Sequence, residues 1–280
     1  MYKTISILFL LVWFHQNLRA SLADSLQSER MEEVEVKAYS PRTLSDDRNG
    51  RLYWNMKSLA DMPHVLGSAD PLRSLQLLPG VATNNDYTSG IHIQGCAASQ
   101  SILNMDGTPI FNASHLLGLF SVFNASHFRG MSLVKNRHDA AFSNRLGGEV
   151  SFYPTDSIAH KVHLDATVSF MESEGTLTLP VGEHSTLYLS GRGSYLNLLY
   201  GNLLEIDEMK LRYGLQDYNL TFVQQAGAHD KIRLSLYHGQ DRMNLLQEDF
   251  ADENKLNWQN TDAALHWQHH SSRFNLQQNA

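Results

Sequence analysis

The segment Lys161-Val162-His163-Leu164-Asp165-Ala166-Thr167-Val168-Ser169-Phe170 places an apolar residue at every even position and a polar one at every odd position. Side chains alternate across a β-strand with a period of two, so this run specifies a strand with two unlike faces. A helical stripe would recur every three to four residues instead. The pattern returns in Thr176–Val181, Ser185–Ser190, Tyr218–Phe222, Lys231–Leu236 and around Ala263–Trp267, which predicts about six strands after Ser157. Gly182-Glu183-His184 and Gly227-Ala228-His229-Asp230 read as short turns, and the polar stretches Gly201–Arg212 and Gln240–Leu256 as long loops alternating with them. Short turns at one end and long loops at the other fit an outer-membrane barrel. A soluble antiparallel sheet with one wet face gives the same alternation, so the pattern alone leaves both open.

Composition narrows the choice of partners. Charged residues make up 18% and hydrophobic ones 42% of the chain, a polar but weakly charged balance that suits strands alternating between two environments. The formal net charge of −7 supplies no basic field, which argues against nucleic acid. Cys96 is the only cysteine, so neither an intrachain disulfide nor a cysteine-based zinc site can form. The 14 histidines do not fall into a ligand pattern. His160 and His163 would point to opposite faces of a strand, His266 and His270 share a face but lie roughly 13 Å apart at the strand rise, and adjacent His269 and His270 diverge. No His-Glu-x-x-His, nucleophile elbow or phosphate loop occurs. The sequence therefore predicts no catalytic, cofactor-binding or metal-binding residue and no enzyme activity. Asn112, Asn124 and Asn219 begin Asn-x-Ser/Thr triplets that matter only in a eukaryotic secretory pathway.

At the N-terminus Lys3 precedes an apolar run from Ile5 to Phe14, and small residues precede Ala23 in Ser21-Leu22-Ala23. This reads as a secretion signal over residues 1–23, cut after Ala23 or Ala20; a membrane anchor is the rival, but the run is about half the ~20 apolar residues a spanning helix requires. With no other such segment, any further membrane crossing must be a barrel. Residues 24–49 form a polar leader containing Met31-Glu32-Glu33-Val34-Glu35-Val36-Lys37, a short strand or an extended docking peptide. From Gly50 to about Pro154 the texture is α+β. Asp70 is a good N-cap, Pro71 fits the first helical position, and Pro79-Gly80 stops a two-turn helix. Ile91–Gln94 alternates as a strand. Ile102–Met105 and Pro109–Phe111 flank Asp106-Gly107, a strong hairpin signal.

Several of these segments fall together in a known order. Asp70-Pro71-Leu72-Arg73-Ser74-Leu75-Gln76-Leu77-Leu78-Pro79-Gly80-Val81, Ile91-His92-Ile93-Gln94-Gly95, Ile102 to Ile110, Ser114 to Asn124 and Arg145-Leu146-Gly147-Gly148 together resemble the plug domain of TonB-dependent outer-membrane receptors of the Bacteroidetes type. The resemblance continues more weakly through Leu189–Leu196 and Asp217–Leu220. It departs from the family at Gln94, where Arg is usual, and at Asn136, Ser143 and Asn144, near which the family has glycines, so the turn after Lys135 is expected to differ in shape.

The resemblance implies a plug over 50–156 followed, over 157–280, by the first antiparallel strands of a transmembrane β-barrel. Such receptors resemble barrels of about 22 strands with a plugged lumen. Six strands cannot close around a plug, so the expectation is an incomplete barrel, from a fragment or a truncated gene. The resemblance also implies a scarce extracellular solute, energised uptake through TonB and its inner-membrane complex, contact with outer-membrane lipid, and a surface lipoprotein as a further partner. Glu32, Glu33, Val34, Glu35 and Val36 form the candidate TonB box, with a first plug strand as the equal alternative. From another class, a non-transporting remnant or a secreted β-rich binding or adhesion module stays open.

Overall fold

The computed structural model describes residues 44–46, 50–62, 67, 69–83, 90–135, 145–201, 205–206, 209–247, 252–271 and 274–280. These all belong to the second of two compact units, Pro41–Ala280. The secretion signal, the Glu32–Val36 segment, and Asn136, Ser143 and Asn144 lie outside the described residues.

Among the described residues ten strands precede Thr155: β1 (Leu44–Asp46), β2 (Arg51–Asn55), β3 (Val81–Ala82), β4 (His92–Ile93), β5 (Ile102–Met105), β6 (Thr108–Pro109), β7 (Ser114–His115), β8 (Phe120–Ser121), β9 (Phe128–Val134) and β10 (Glu149–Pro154). Six of them form a sheet in the order β1-β2-β9-β10-β5-β6, while β3 pairs with β4 and β7 with β8. Only the β10–β5 pairing of the six is parallel. Val150 and Phe152 point from β10 into a core with Trp54, Leu72, Ile93 and Met131, where Phe123 and Phe152 stack. Helix α1 (Pro71–Leu75) starts as its sequence requires, with Asp70 Oδ1 accepting from the amides of Leu72 at 2.9 Å and Arg73 at 3.2 Å. It is shorter than the two turns expected, because the chain passes into turns after Leu75 and reverses at Gly80, φ +79°. The β5–β6 hairpin forms where Asp106-Gly107 predicts it. Both turn residues have positive φ, +51° and +88°, the geometry that matches the twist of the strands. Gln94, where the resembled family has Arg, also sits at positive φ, +53°.

The second sheet runs β11 (His163–Val168), β12 (Glu172–Pro180), β13 (Ser185–Ser194), β15 (Met209–Ala226), β16 (Asp230–Gln247), β17 (Asp252–His270) and β18 (Asn275–Asn279). Every neighbouring pair is antiparallel. Helix α2 (Leu196–Tyr200) and β14 (Glu205–Ile206), which pairs with β15, connect β13 to β15. The turns at Gly182 and Gly227 are as expected, with φ of +110° and +76°. The count of about six strands is low, since eight are present among the described residues. The described residues of the polar stretches Gly201–Arg212 and Gln240–Leu256 are mostly not in loops. Their pairs, such as Lys210↔Leu246 and Asn244↔Lys255, continue the ladders of β15–β17. A ladder is held by main-chain hydrogen bonds, so polar side chains on both faces do not end it.

Register sorts the second sheet into two faces. Outward, Leu164, Leu177, Leu189, Leu220, Leu236 and Ala263 pair in one continuous rung across six strands. A second rung, toward the Gly182 and Gly227 turns, holds Leu179, Leu187, Phe222, Leu234 and Leu265. Inward lie polar residues, among them Arg192, Asp217, Thr221, Arg233 and His266, all buried.

Candidate functional site: a polar interface between the sheets

The inward face of the second sheet is buried because the N-terminal elements lie against it and reach it with several polar side chains. The first comes from the small β7–β8 hairpin. His115 is 1% exposed, with Nδ1 2.7 Å from Asp241 Oδ2 and Nε2 2.9 Å from Asp217 Oδ2. Both partners are carboxylates, so both ring nitrogens must donate, and only the imidazolium can do that. Burial pulls the His115 pKa down, but the Asp217 charge and the hydrogen bonds to Asp217 and Asp241 outweigh it and raise the value to about 9. Asp217 also accepts from Arg192 Nε at 2.8 Å and Nη2 at 2.6 Å, and from Tyr237 Oη at 2.9 Å.

The hairpin is gripped from both sides. The Ser121 amide donates to Asp70 Oδ2 at 2.6 Å, and the Ser121 carbonyl accepts from Arg192 Nη2 at 2.6 Å. Asp70 thus caps α1 with one oxygen and holds β8 with the other. Above this polar cluster Phe120 packs with Leu196, Leu211, Tyr213 and Leu215, which excludes water and strengthens the charge interactions beneath.

The second side chain is Asp106, at the tip of the β5–β6 hairpin. Its carboxylate accepts from Arg233 Nε at 3.1 Å, from Arg233 Nη2, and from Ser235 Oγ at 2.5 Å, while His266 Nε2 donates to its carbonyl at 2.8 Å and lies 3.1 Å from its carboxylate Oδ1. Burial pushes the Asp106 carboxyl up, yet the His266 hydrogen bond and the Arg233 charge prevail and hold it below its ordinary value. The third is His127, bridging Ser190 Oγ at 2.7 Å and Thr221 Oγ1 at 2.9 Å. Hydroxyls can accept or donate, so a neutral ring is satisfied there, and burial pushes its pKa down to about 4. Next to these, Asp156 accepts from Arg129, Lys231 and Arg233.

This arrangement holds and positions the N-terminal elements against the second sheet. Among the described residues no group of three or more His, Cys, Asp or Glu side chains could hold a metal ion. The structure brings together residues that the sequence places in motifs without a role, above all His115, Asp106, Arg192 and Asp217. His266, weighed only as half of a metal pair, turns out to hold a hairpin tip. His163 is exposed beside Asp165, and His269 bonds Asp230. A usable signal was present: Arg233 falls on the polar face of the alternating run Lys231–Leu236. Its partner Asp106 lies 127 positions away, and no spacing rule connects them.

The two histidines give the docking opposite pH dependences. The folded pKa of His115 lies above its unfolded value of 6.5, so its contribution is complete below that pH and fades as pH rises through about 9. That of His127 lies below 6.5, so its contribution is complete above that pH and fades on acidification toward about 4. Each shift corresponds to about 3 kcal/mol. Denaturation midpoints at pH 4, 6.5 and 9 are expected to peak near the middle value; a flat profile would contradict both assignments.

Neither a family model nor a curated protein matches the sequence. Solved structures do. The outer-membrane transporter YddB of Escherichia coli superposes with a TM-score of 0.59 at 14% identity, over 84% of this chain and 38% of that one. The siderophore receptor PirA of Acinetobacter baumannii gives 0.58 at 13%, over 81% and 38%. The ferric enterobactin receptor PfeA of Pseudomonas aeruginosa gives 0.56 at 12%, over 80% and 38%. The chain has the fold of TonB-dependent outer-membrane receptors. It spans less than half the length of these three relatives in fold. Within that span the sheet is open among the described residues, with β11 and β18 at its two ends.

Proposed function

We propose that the chain is the N-terminal part of a TonB-dependent receptor that takes up a scarce solute, without enzymatic activity, in the outer membrane of a Gram-negative bacterium. On this reading residues 1–23 are the secretion signal, 24–49 the leader, 50–156 the plug, and 157–280 the first strands of the barrel. The observation that carries it is the opposition of the two sheet faces. The inward face is polar, charged and buried against an α+β element, while the outward face carries unbroken apolar rungs. The first rung spans six strands and the second five, so together they cover roughly 24 Å by at least 7 Å at ordinary strand spacings, and Leu164, Leu236 and Leu265 within them are 64, 41 and 46% exposed. Apolar surface of that continuity marks a membrane or partner contact. Among the described residues no helix is long and apolar enough to span a membrane; a crossing here would be made by strands.

A secreted β-rich binding or adhesion module is the competing reading, and it leaves the outward rungs without an occupant. On the receptor reading the charged interface holds the plug against the barrel wall until TonB pulls on an N-terminal peptide, which we assign to Glu32, Glu33, Val34, Glu35 and Val36. TonB would add a strand to it, a main-chain pairing tolerant of sequence. With Cys96→Ser as background, a cysteine replacing Glu33 is expected to cross-link to a purified TonB C-terminal domain carrying a strand-edge cysteine. No cross-link, or equal cross-linking from a control cysteine replacing Glu183 in the β12–β13 turn, would overturn the assignment.

A further inference from the structure

We infer that Asp106-Gly107, the turn of the β5–β6 hairpin, is a latent isoaspartate site that docking on the second sheet keeps unreacted. The inference rests on the contacts of this turn alone and holds whether the outward face of that sheet meets lipid or water. Aspartate followed by glycine is the aspartyl pair most open to attack by its own main chain, because no Cβ on the second residue stands in the way. Asp106-Gly107 is the only such pair in the sequence. In the reaction the Gly107 nitrogen bonds to Asp106 Cγ, and the nitrogen's proton leaves with the hydroxyl of the protonated carboxyl as water. The succinimide ring so formed then takes up one water. Opening at the Asp106 main-chain carbonyl leaves the chain running through Cγ, one carbon longer, with the former carbonyl carbon as the free carboxylate. Water is the only co-reactant.

The reacting carboxylate is held. It accepts from Arg233 Nε at 3.1 Å, from Arg233 Nη2, and from Ser235 Oγ at 2.5 Å. To react, Cγ must turn toward the Gly107 nitrogen and one carboxyl oxygen must be protonated. The guanidinium fork opposes both, since it fixes the plane of the carboxylate and favours its charged form. His266 Nε2 donates to the Asp106 carbonyl at 2.8 Å, and His266 Cε1 stands 3.6 Å from where a Gly107 Cβ would be. Asp106 is 3% exposed, so the water of the second step is kept away as well.

None of these partners belongs to the hairpin. Arg233 and Ser235 lie on β16 and His266 on β17, so the protection ends whenever the hairpin lifts from the second sheet. The pairs Met105↔Thr108 and Asn104↔Pro109 close the turn. An extra main-chain carbon between Met105 and Thr108 spoils a two-residue turn, whose geometry sets the register of its strands, and it carries the carboxylate away from Arg233. A hairpin that has reacted while lifted therefore cannot dock again as before. The turn is a one-way chemical record of time spent undocked.

The test ages the whole chain in an uncharged maltoside detergent at neutral pH and follows isoaspartate at residue 106 by mass spectrometry with electron-transfer fragmentation. The parent unfolded in urea gives the unprotected rate. Arg233→Gln with Ser235→Ala is expected to react at least about tenfold faster than the folded parent, since each hydrogen bond to a charged group shifts local opening by that order. Arg233→Lys, which keeps the charge without the fork, should fall between the two. Asp217→Asn loosens the β7–β8 hairpin through a different cluster and should stay near the parent rate. A folded parent that reacts as fast as in urea overturns the inference, as does a double variant no faster than the parent. Asp217→Asn reacting as fast as the double variant also overturns it, because the protection would then belong to overall stability and not to these contacts.

Discussion

Asp217→Asn is expected to destabilise the chain by about 3–5 kcal/mol, the cost of leaving a buried cation without its counter-charge. The Asp217 carboxylate accepts from two Arg192 nitrogens, from His115 and from Tyr237. Four donors fill the roughly four lone-pair positions a carboxylate offers. An asparagine of the same shape keeps one acceptor oxygen and turns an NH₂ donor toward at least one cation. His115 would then face Asp241 alone, and burial would draw its pKa down from about 9. A neutral ring can donate to one carboxylate only, so the β7–β8 hairpin should loosen from the second sheet. Asp241→Asn, which removes the partner of a single His115 nitrogen, should cost clearly less. Denaturant titration gives the stabilities, and NMR titration of the His115 ring gives the pKa. A variant whose stability and His115 titration match the parent would show that the cluster does not anchor the hairpin.

How much of this was legible beforehand depends on the range of the interaction. The N-cap at Asp70, the turn at Asp106-Gly107 and the alternation from Lys161 to Phe170 are local, and each was readable because the backbone geometry is set within a few residues. The extension of β15–β17 into polar sequence was not. Tyr213 and Asn244 stay in strands because the neighbouring strand supplies their main-chain partners, at Met243 for the first and at Arg212 and Lys255 for the second. The interface was the least legible part. Asp70 reads as a cap and nothing more, yet its second oxygen holds Ser121. His115 looks like one of many scattered histidines until the fold brings it between Asp217 and Asp241, residues from two different strands. Family resemblance located the segments that carry these side chains without assigning them a task, and register in the folded chain supplied the assignment.

The sharpest separation between a membrane wall and a soluble sheet comes from one substitution made at two heights on the same face. Leu220→Arg places a charge in the middle of the first apolar rung, between Leu189 and Leu236. If that rung faces hydrocarbon, insertion is expected to weaken by about 2–4 kcal/mol. Gln216→Arg lies on the same strand and face but four residues higher, level with Gln240, where the expected cost is about 0–1 kcal/mol. A soluble module exposes both positions to water, and a surface arginine would then be tolerated within about 0.5 kcal/mol at either one. Reversible unfolding from phospholipid vesicles yields both values in one series. A large cost at Leu220 with little at Gln216 fixes the hydrocarbon boundary between the two rungs, at the level of Tyr218. Equal small costs would remove the membrane from the account of this sheet, and with it the reason for six strands to align five leucines and an alanine in one rung.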